Sequence, residues 1–330
     1  MWEWASSRPQ RCLKFGTDSI GWAETKRNWY GQRRHKCVMS SVSDGMIKPS
    51  PIEENLSDPS ALADRIRTLT GSDLVQQGAK GAPLLDLPRR IGVLLPDTAV
   101  RATVLHLEHL PPRREERDAL IRWRLGQEQL FPLSGAKVLF QVFHDRSGGK
   151  GPAHTVLTVA VQESVLKQYE SLCESIGLIP QEVGITSLRL FDFWRKASNG
   201  SHWRSRKCLW INVSDRALTT MICQQGRLLF YRCKLLGAGT AEVLVKNDML
   251  RILEECCASL EICQQQHPSA IVTEVVICAE GDISAFQELV EAELRLSVEQ
   301  LGWESVETLG RVVKGSHRGM TSLAAMAGVL

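Results

Sequence analysis

Short apolar runs alternate with charged, helically periodic stretches along this chain, a rhythm that predicts strands and helices in mixed order. Ile91-Gly92-Val93-Leu94-Leu95 reads as a buried strand ended by Pro96, and Val104-Leu105-His106-Leu107 as another, stopped at Pro111-Pro112. In Lys137–Phe143, Val138, Phe140 and Val142 alternate with Leu139, Gln141 and Phe143, so both faces of that strand are expected to be covered. Thr155–Val161 and Val275–Ala279 are further strands. Helices are predicted from about Arg114 to Leu130 and over Glu163–Ile176, Ile185–Trp194 and Ser284–Leu294, with a long one from about Ala241 to Gln266. The second has Val165, Tyr169, Leu172, Cys173 and Ile176 on one face and ends at Gly177, a residue suited to a left-handed cap. Small residues at Leu323–Gly328 suit a helix lying close against a sheet.

Two segments break the rhythm. Residues 44–90 hold Pro49, Pro51, Pro59, Pro83 and Pro88 with Gly71, Gly78 and Gly81 among them. Leu62, Ile66 and Leu69 predict one or two helical turns over Ser60–Leu69, and the remainder reads as loop. The polar stretch Lys196–Lys207, with Asn199-Gly200, marks a domain boundary.

At 330 residues the chain can bury two domain cores, and its 43% apolar and 23% charged content is that of a globular protein. A net charge of +3 gives no case for nucleic acid. The densest basic run, Lys26, Arg27, Arg33, Arg34, His35 and Lys36, falls at an expected hairpin tip. It reads as a solvated loop, with contact to anionic lipid or an acidic partner as the alternative. No stretch approaches the ~18 apolar residues of a membrane span, and Met1-Trp2-Glu3-Trp4 does not open a signal peptide. The ten cysteines contain no Cys-x-x-Cys, and several fall in apolar helical stripes, which points to a reducing compartment. The eight histidines are scattered, and phosphate-loop, zinc-protease and nucleophile-elbow motifs are absent.

Two distant stretches share one shape. Lys14-Phe15-Gly16-Thr17-Asp18-Ser19-Ile20-Gly21 and Leu209-Trp210-Ile211-Asn212-Val213-Ser214-Asp215 each read as a strand running into a tight turn. The second leads to Leu228–Arg232 and a small-residue turn at Gly237-Ala238-Gly239-Thr240. Four further segments carry a family likeness: Ile121–Pro132, ending in Phe131-Pro132; Tyr169–Pro180 with Gln181-Glu182-Val183; Leu253–Glu261; and Leu323–Gly328. In this order and spacing, over roughly Leu13 to Leu330, the chain resembles the PilM family of type IV pilus assembly proteins. These are relatives of the cell-division ATPase FtsA and of the cytoplasmic domain of the type II secretion L protein.

The resemblance implies an α/β, two-lobed actin-like (ribonuclease H-like) ATPase fold with a small inserted α+β subdomain. Residues 11–100 and 306–330 would form the first lobe, 101–180 the insertion, 181–204 a connecting helix and linker, and 205–305 the second lobe. It further implies ATP and magnesium in the cleft between the lobes, held by Asp18, Ser19 and Gly21 on one side and Asn212, Ser214, Thr219, Gly237, Gly239 and Gly281 on the other. The family's first hairpin reads Asp-x-Gly-Ser/Thr; aligned on Asp18 as the metal-holding residue, Ile20 replaces its glycine. Asn212 and Ser214 replace Asp and Gly in the second hairpin, and Glu280 stands in the adenosine turn. These departures point to a degenerate cleft and against efficient hydrolysis.

The implied role is therefore a cytoplasmic adaptor in pilus biogenesis and twitching motility, gripping the N-terminal peptide of a PilN-like inner-membrane protein within the pilus alignment complex. It would meet the membrane only through that partner. Leu130, Phe131, Val138, Phe140 and Val142 are candidates for an apolar groove beside a strand edge, or else for the core of the insertion. An actin-like ATPase or sugar kinase with unusual phosphate-binding motifs is the alternative.

Overall fold

The computed structural model describes residues 9–27, 33–71, 89–127, 131–144, 154–198, 205–236, 246–308, 313–314 and 319–330. Contacts divide the chain into two compact units: Met1–Pro96 with Ser164–Ala197 and Gly302–Leu330, and Asp97–Glu163 with Ser198–Leu301.

The first unit holds strands β1 (Arg11–Phe15), β2 (Ser19–Arg27), β3 (Arg33–Ser41) and β4 (Arg89–Leu95), then β8 (Leu178–Ile185) and β14 (Val313–Lys314). They form one sheet in the order β14-β3-β2-β1-β4-β8. After the short helix α7 (Glu304–Thr308), helix α8 (Met320–Val329) lies against β1 and β2. Its approach depends on two glycines. A Cβ on Gly328 would stand 2.2 Å from Cys12 Sγ, and one on Gly21 would stand 2.8 Å from the Thr321 carbonyl. The small-residue stripe thus packs as its composition predicts.

Helix α1 (Pro59–Thr70) is longer than the turn or two expected. Asp58 caps it, its Oδ1 accepting from the Ala61 N–H at 2.9 Å, Pro59 opens it, and Gly71 closes it at φ 66°. Helix α3 (Glu163–Glu174) anchors the loop ahead of α1. Gln168 Oε1 accepts from the N–H groups of Asn55 and Leu56, and Asn55 Nδ2 donates to the Tyr169 hydroxyl at 3.0 Å.

Strand β8 was not among the elements expected from the sequence. It runs parallel to β4, and the register slips between Ile91 and Gly92, where Pro180 has no N–H to give. Pairing with β4 also draws α3 and β8 into the first unit, whereas the insertion was expected to reach residue 180. Helix α4 (Thr186–Ala197), expected in the connection, falls in the same unit.

The second unit contains β5 (Arg101–Leu107), β6 (Ala136–His144) and β7 (His154–Gln162), with helix α2 (Arg114–Gln127). The sheet order β5-β7-β6 leaves β6 at an edge. Strands β9 (Lys207–Ser214), β10 (Ala217–Gln224), β11 (Arg227–Leu235), β12 (Glu274–Ala279) and β13 (Ser297–Gln300) form a second sheet, ordered β11-β10-β9-β12-β13. Helices α5 (Lys246–Gln266) and α6 (Ser284–Leu294) contribute Ile252, Cys256, Phe286 and Val290 to its core. β11 packs against β5 and β7, so the smaller sheet adheres to this one. Arg206, just before β9, donates to both oxygens of Glu274 at 2.7 and 2.5 Å and to Glu299 at 2.6 Å. That clasp holds its guanidinium charged well beyond the usual arginine range.

All ten cysteines are free thiols and most are buried. Among the described residues no helix is long and apolar enough to cross a membrane.

Candidate functional site

The two larger sheets repeat one pattern. β2 and β4 flank β1, antiparallel and parallel; β10 and β12 flank β9 in the same senses. Lys14 is registered with Gly21, third residue of β2, and with Leu94, last but one of β4. Asn212 is registered with Thr219, third residue of β10, and with Cys278, last but one of β12. Two separate pairings therefore equate Lys14 with Asn212 and Gly16 with Ser214. On this register Lys14-Phe15-Gly16-Thr17 is matched with Asn212-Val213-Ser214-Asp215, and a lysine stands where the second hairpin has Asn212. Asp18 instead lies in the turn beyond the end of β1.

The first hairpin is tied to the start of α8. Lys14 Nζ donates to Thr321 Oγ1 at 3.5 Å, and Ser19 Oγ lies 2.8 Å from the same oxygen. Thr17 Oγ1 donates to Asp18 Oδ2 at 3.1 Å. Lys14 is 1% exposed, and Thr17 and Ser19 are buried. Gly21, a candidate for nucleotide contact, leaves room for the backbone of α8.

The second hairpin turns through Asp215 and Arg216, both left-handed at φ 53° and 55°, the two-residue geometry that suits a right-twisted ribbon. Neither is glycine, so the turn is strained. Asn212 Nδ2 donates to Ser214 Oγ at 3.0 Å, so two of the expected contacts bond to each other. Thr219, the third, is engaged by Tyr231 and Cys233. Gly281 turns the chain after β12 at φ 77°, and Glu280 beside it is half-buried and helps to raise the Cys278 thiol, after burial and Asp97. Gly237 and Gly239 lie outside the described residues.

Asp97, which the sequence did not single out, sits 3% exposed in this unit and accepts from the Tyr231 hydroxyl at 2.8 Å. Burial and then that carboxylate push the Tyr231 phenol up, and the Cys233 thiol up to about 12. A second unforeseen pair joins the smaller sheet to the end of α5: His106 Nε2 and His267 Nε2 are 2.9 Å apart. Burial, then His267, pushes His106 down to about 4. Among the described residues no cluster of three or more metal-ligating side chains occurs.

The candidate groove residues divide by burial. Phe131 and Val138 belong to the core between α2 and the small sheet, and Phe140 and Val142 pack half-buried against it. Leu130 lies outside the described residues. On the opposite face of β6, Leu139 is 48% exposed.

No family model matches the chain, and no curated protein matches it either. Solved structures do. A chain of a PilM–PilN type IV pilus biogenesis complex matches with a TM-score of 0.68 at 15% identity, covering 96% of this chain and 98% of that one. This chain has the actin-like fold. The cytoplasmic domain of EpsL, an inner-membrane component of the type II secretion system of Vibrio cholerae, matches at TM-score 0.48 and 10% identity, over 97% of this chain and 94% of that one. A Bacteroides thetaiotaomicron protein described as having an actin-like ATPase fold and unknown function gives 0.46 at 13%, over 94% and 98%.

Proposed function

We propose that this chain is a cytoplasmic actin-like adaptor of type IV pilus assembly that holds the N-terminal peptide of a PilN-like inner-membrane protein. The observation that carries the reading is the full-length likeness to a chain of a PilM–PilN complex. The small sheet suits the task. Among the described residues β6 is an edge strand of the small sheet, with Leu139 exposed on one face and half-buried Phe140 and Val142 on the other. An extended peptide added there gains main-chain hydrogen bonds and meets apolar side chains.

The phosphate-binding hairpins are degenerate in this reading. Asn212 and Ser214 are hydrogen-bonded to each other, and Lys14 stands at the position matched with Asn212. Membrane attachment then comes through the partner alone. Fractionating cells that express the chain with and without the PilN-like protein tests this. The chain should sediment with membranes only when the partner is present; sedimentation without it would overturn the reading and turn attention to the basic β2–β3 ribbon.

A further inference from the structure

The carboxyl ends of strands are where open α/β sheets receive ligands, and in the first unit β1 and β4 end side by side. The side chains gathered at the end of β1 can therefore be tested against the divalent cation that the fold class implies. Magnesium is held through carboxylate oxygens and waters in octahedral geometry. The hairpin offers hydroxyls from Thr17, Ser19 and Thr321 and a carboxylate from Asp18, which accepts from Thr17. At the register position matched with Asn212 it offers an ammonium, that of Lys14. That ammonium is 1% exposed, so solvent screens it poorly, and it bonds to Thr321 at the start of α8. Neither matched position carries a carboxylate. The donor set does not fit magnesium.

We propose that the first hairpin is built around a fixed internal cation: the Lys14 ammonium holds the place of a divalent metal and excludes it. A phosphate compound that reaches this hairpin then does so as the free anion, not as a magnesium complex. Lys14 ties β1 to Thr321 of α8 as part of the fold, so the hairpin keeps its shape without metal or nucleotide. The inference deepens the reading of a degenerate site, but it makes no use of the peptide partner, and the two fail separately.

Manganese binding to the full chain, followed by electron paramagnetic resonance, tests it in the wild type and in Lys14→Asp and Asp18→Asn. The wild type should show only the weak background that Asp18→Asn shares. Lys14→Asp, folded by circular dichroism, should gain a site about tenfold or more tighter than that background, since a repelling charge becomes a ligand. If Lys14→Asp does not fold, Lys14→Asn carries the residue of the matched hairpin and is read in the same way, with a smaller gain. A wild-type site that Asp18→Asn abolishes would overturn the proposal and return the metal to Asp18. A folded Lys14 variant that binds no more manganese than the wild type would overturn it as well.

Discussion

The Tyr231 hydroxyl donates to the Asp97 carboxylate at 2.8 Å, and both residues are at most 4% exposed. The bond fastens β11 to the 3-10 turn at Asp97–Ala99 that leads into β5. A buried carboxylate deprived of a donor bears a desolvation cost it did not bear before. Tyr231→Phe should therefore lower unfolding stability by about 1–3 kcal/mol. Urea denaturation measures this, and a loss within the scatter of ordinary surface substitutions would show that Asp97 is held by its other contacts.

The pair His106 and His267 should make stability pH-dependent. Burial, with His267 beside it, brings the folded His106 down to about 4 from the ordinary histidine value of 6.5. Between those values the unfolded chain binds the extra proton, so this contribution is full above the unfolded pKa and is lost as pH falls toward the folded one. Burial and then Arg227 lower His267 in the same sense. Denaturation midpoints at pH 7 and pH 4.5 should differ more in the wild type than in His106→Phe. Equal differences would remove the pair from the account, because carboxylates titrate in both proteins.

Gly328→Ala should be costly although alanine favours helices. The new Cβ would lie 2.2 Å from Cys12 Sγ and 2.8 Å from Cys12 Cβ, so α8 or β1 must shift. Overpacking of this kind costs about 1–3 kcal/mol. Cys12→Ala should restore only part of the loss, since it removes the sulfur and leaves the Cβ. Thermal midpoints of the single and double variants decide it.

Much of this fold was legible in periodicity. The helix over Glu163–Glu174 and the strands at Ile91–Leu95 and Lys137–Phe143 stand close to where their patterns placed them. Strand β8 was hidden because Pro180, Gln181 and Glu182 interrupt any alternation, and its partner β4 lies far back in the chain. Helix α1 was underestimated because its limits are set by the Asp58 cap and Gly71, not by its apolar residues. The first hairpin misled for a different reason. Asp18 carries the expected side chain, but a sequence does not fix strand register, and register gives the place to Lys14. The glycine and threonine at 16 and 17 were the available signal. The His106–His267 and Asp97–Tyr231 pairs join residues too far apart for any spacing rule.

Phe140→Glu separates core from groove. Phe140 packs against the cluster of Leu105, Ile121, Leu125 and Val156, so a carboxylate there should reduce stability by roughly 2–3 kcal/mol. An unchanged denaturation midpoint would place Phe140 on an open surface instead.

The most direct test of the adaptor reading is calorimetric titration of the full chain with the N-terminal cytoplasmic peptide of a PilN-like protein. Wild type and Leu139→Glu are compared, with denaturation midpoints taken on the same samples. Leu139 is 48% exposed on the edge strand, so the substitution should leave stability within about 0.5 kcal/mol of wild type. The account predicts saturable one-to-one binding by the wild type and an affinity about tenfold or more weaker for Leu139→Glu. A folded wild-type chain that does not bind the peptide would contradict the adaptor function; equal binding by both proteins would contradict its placement on β6.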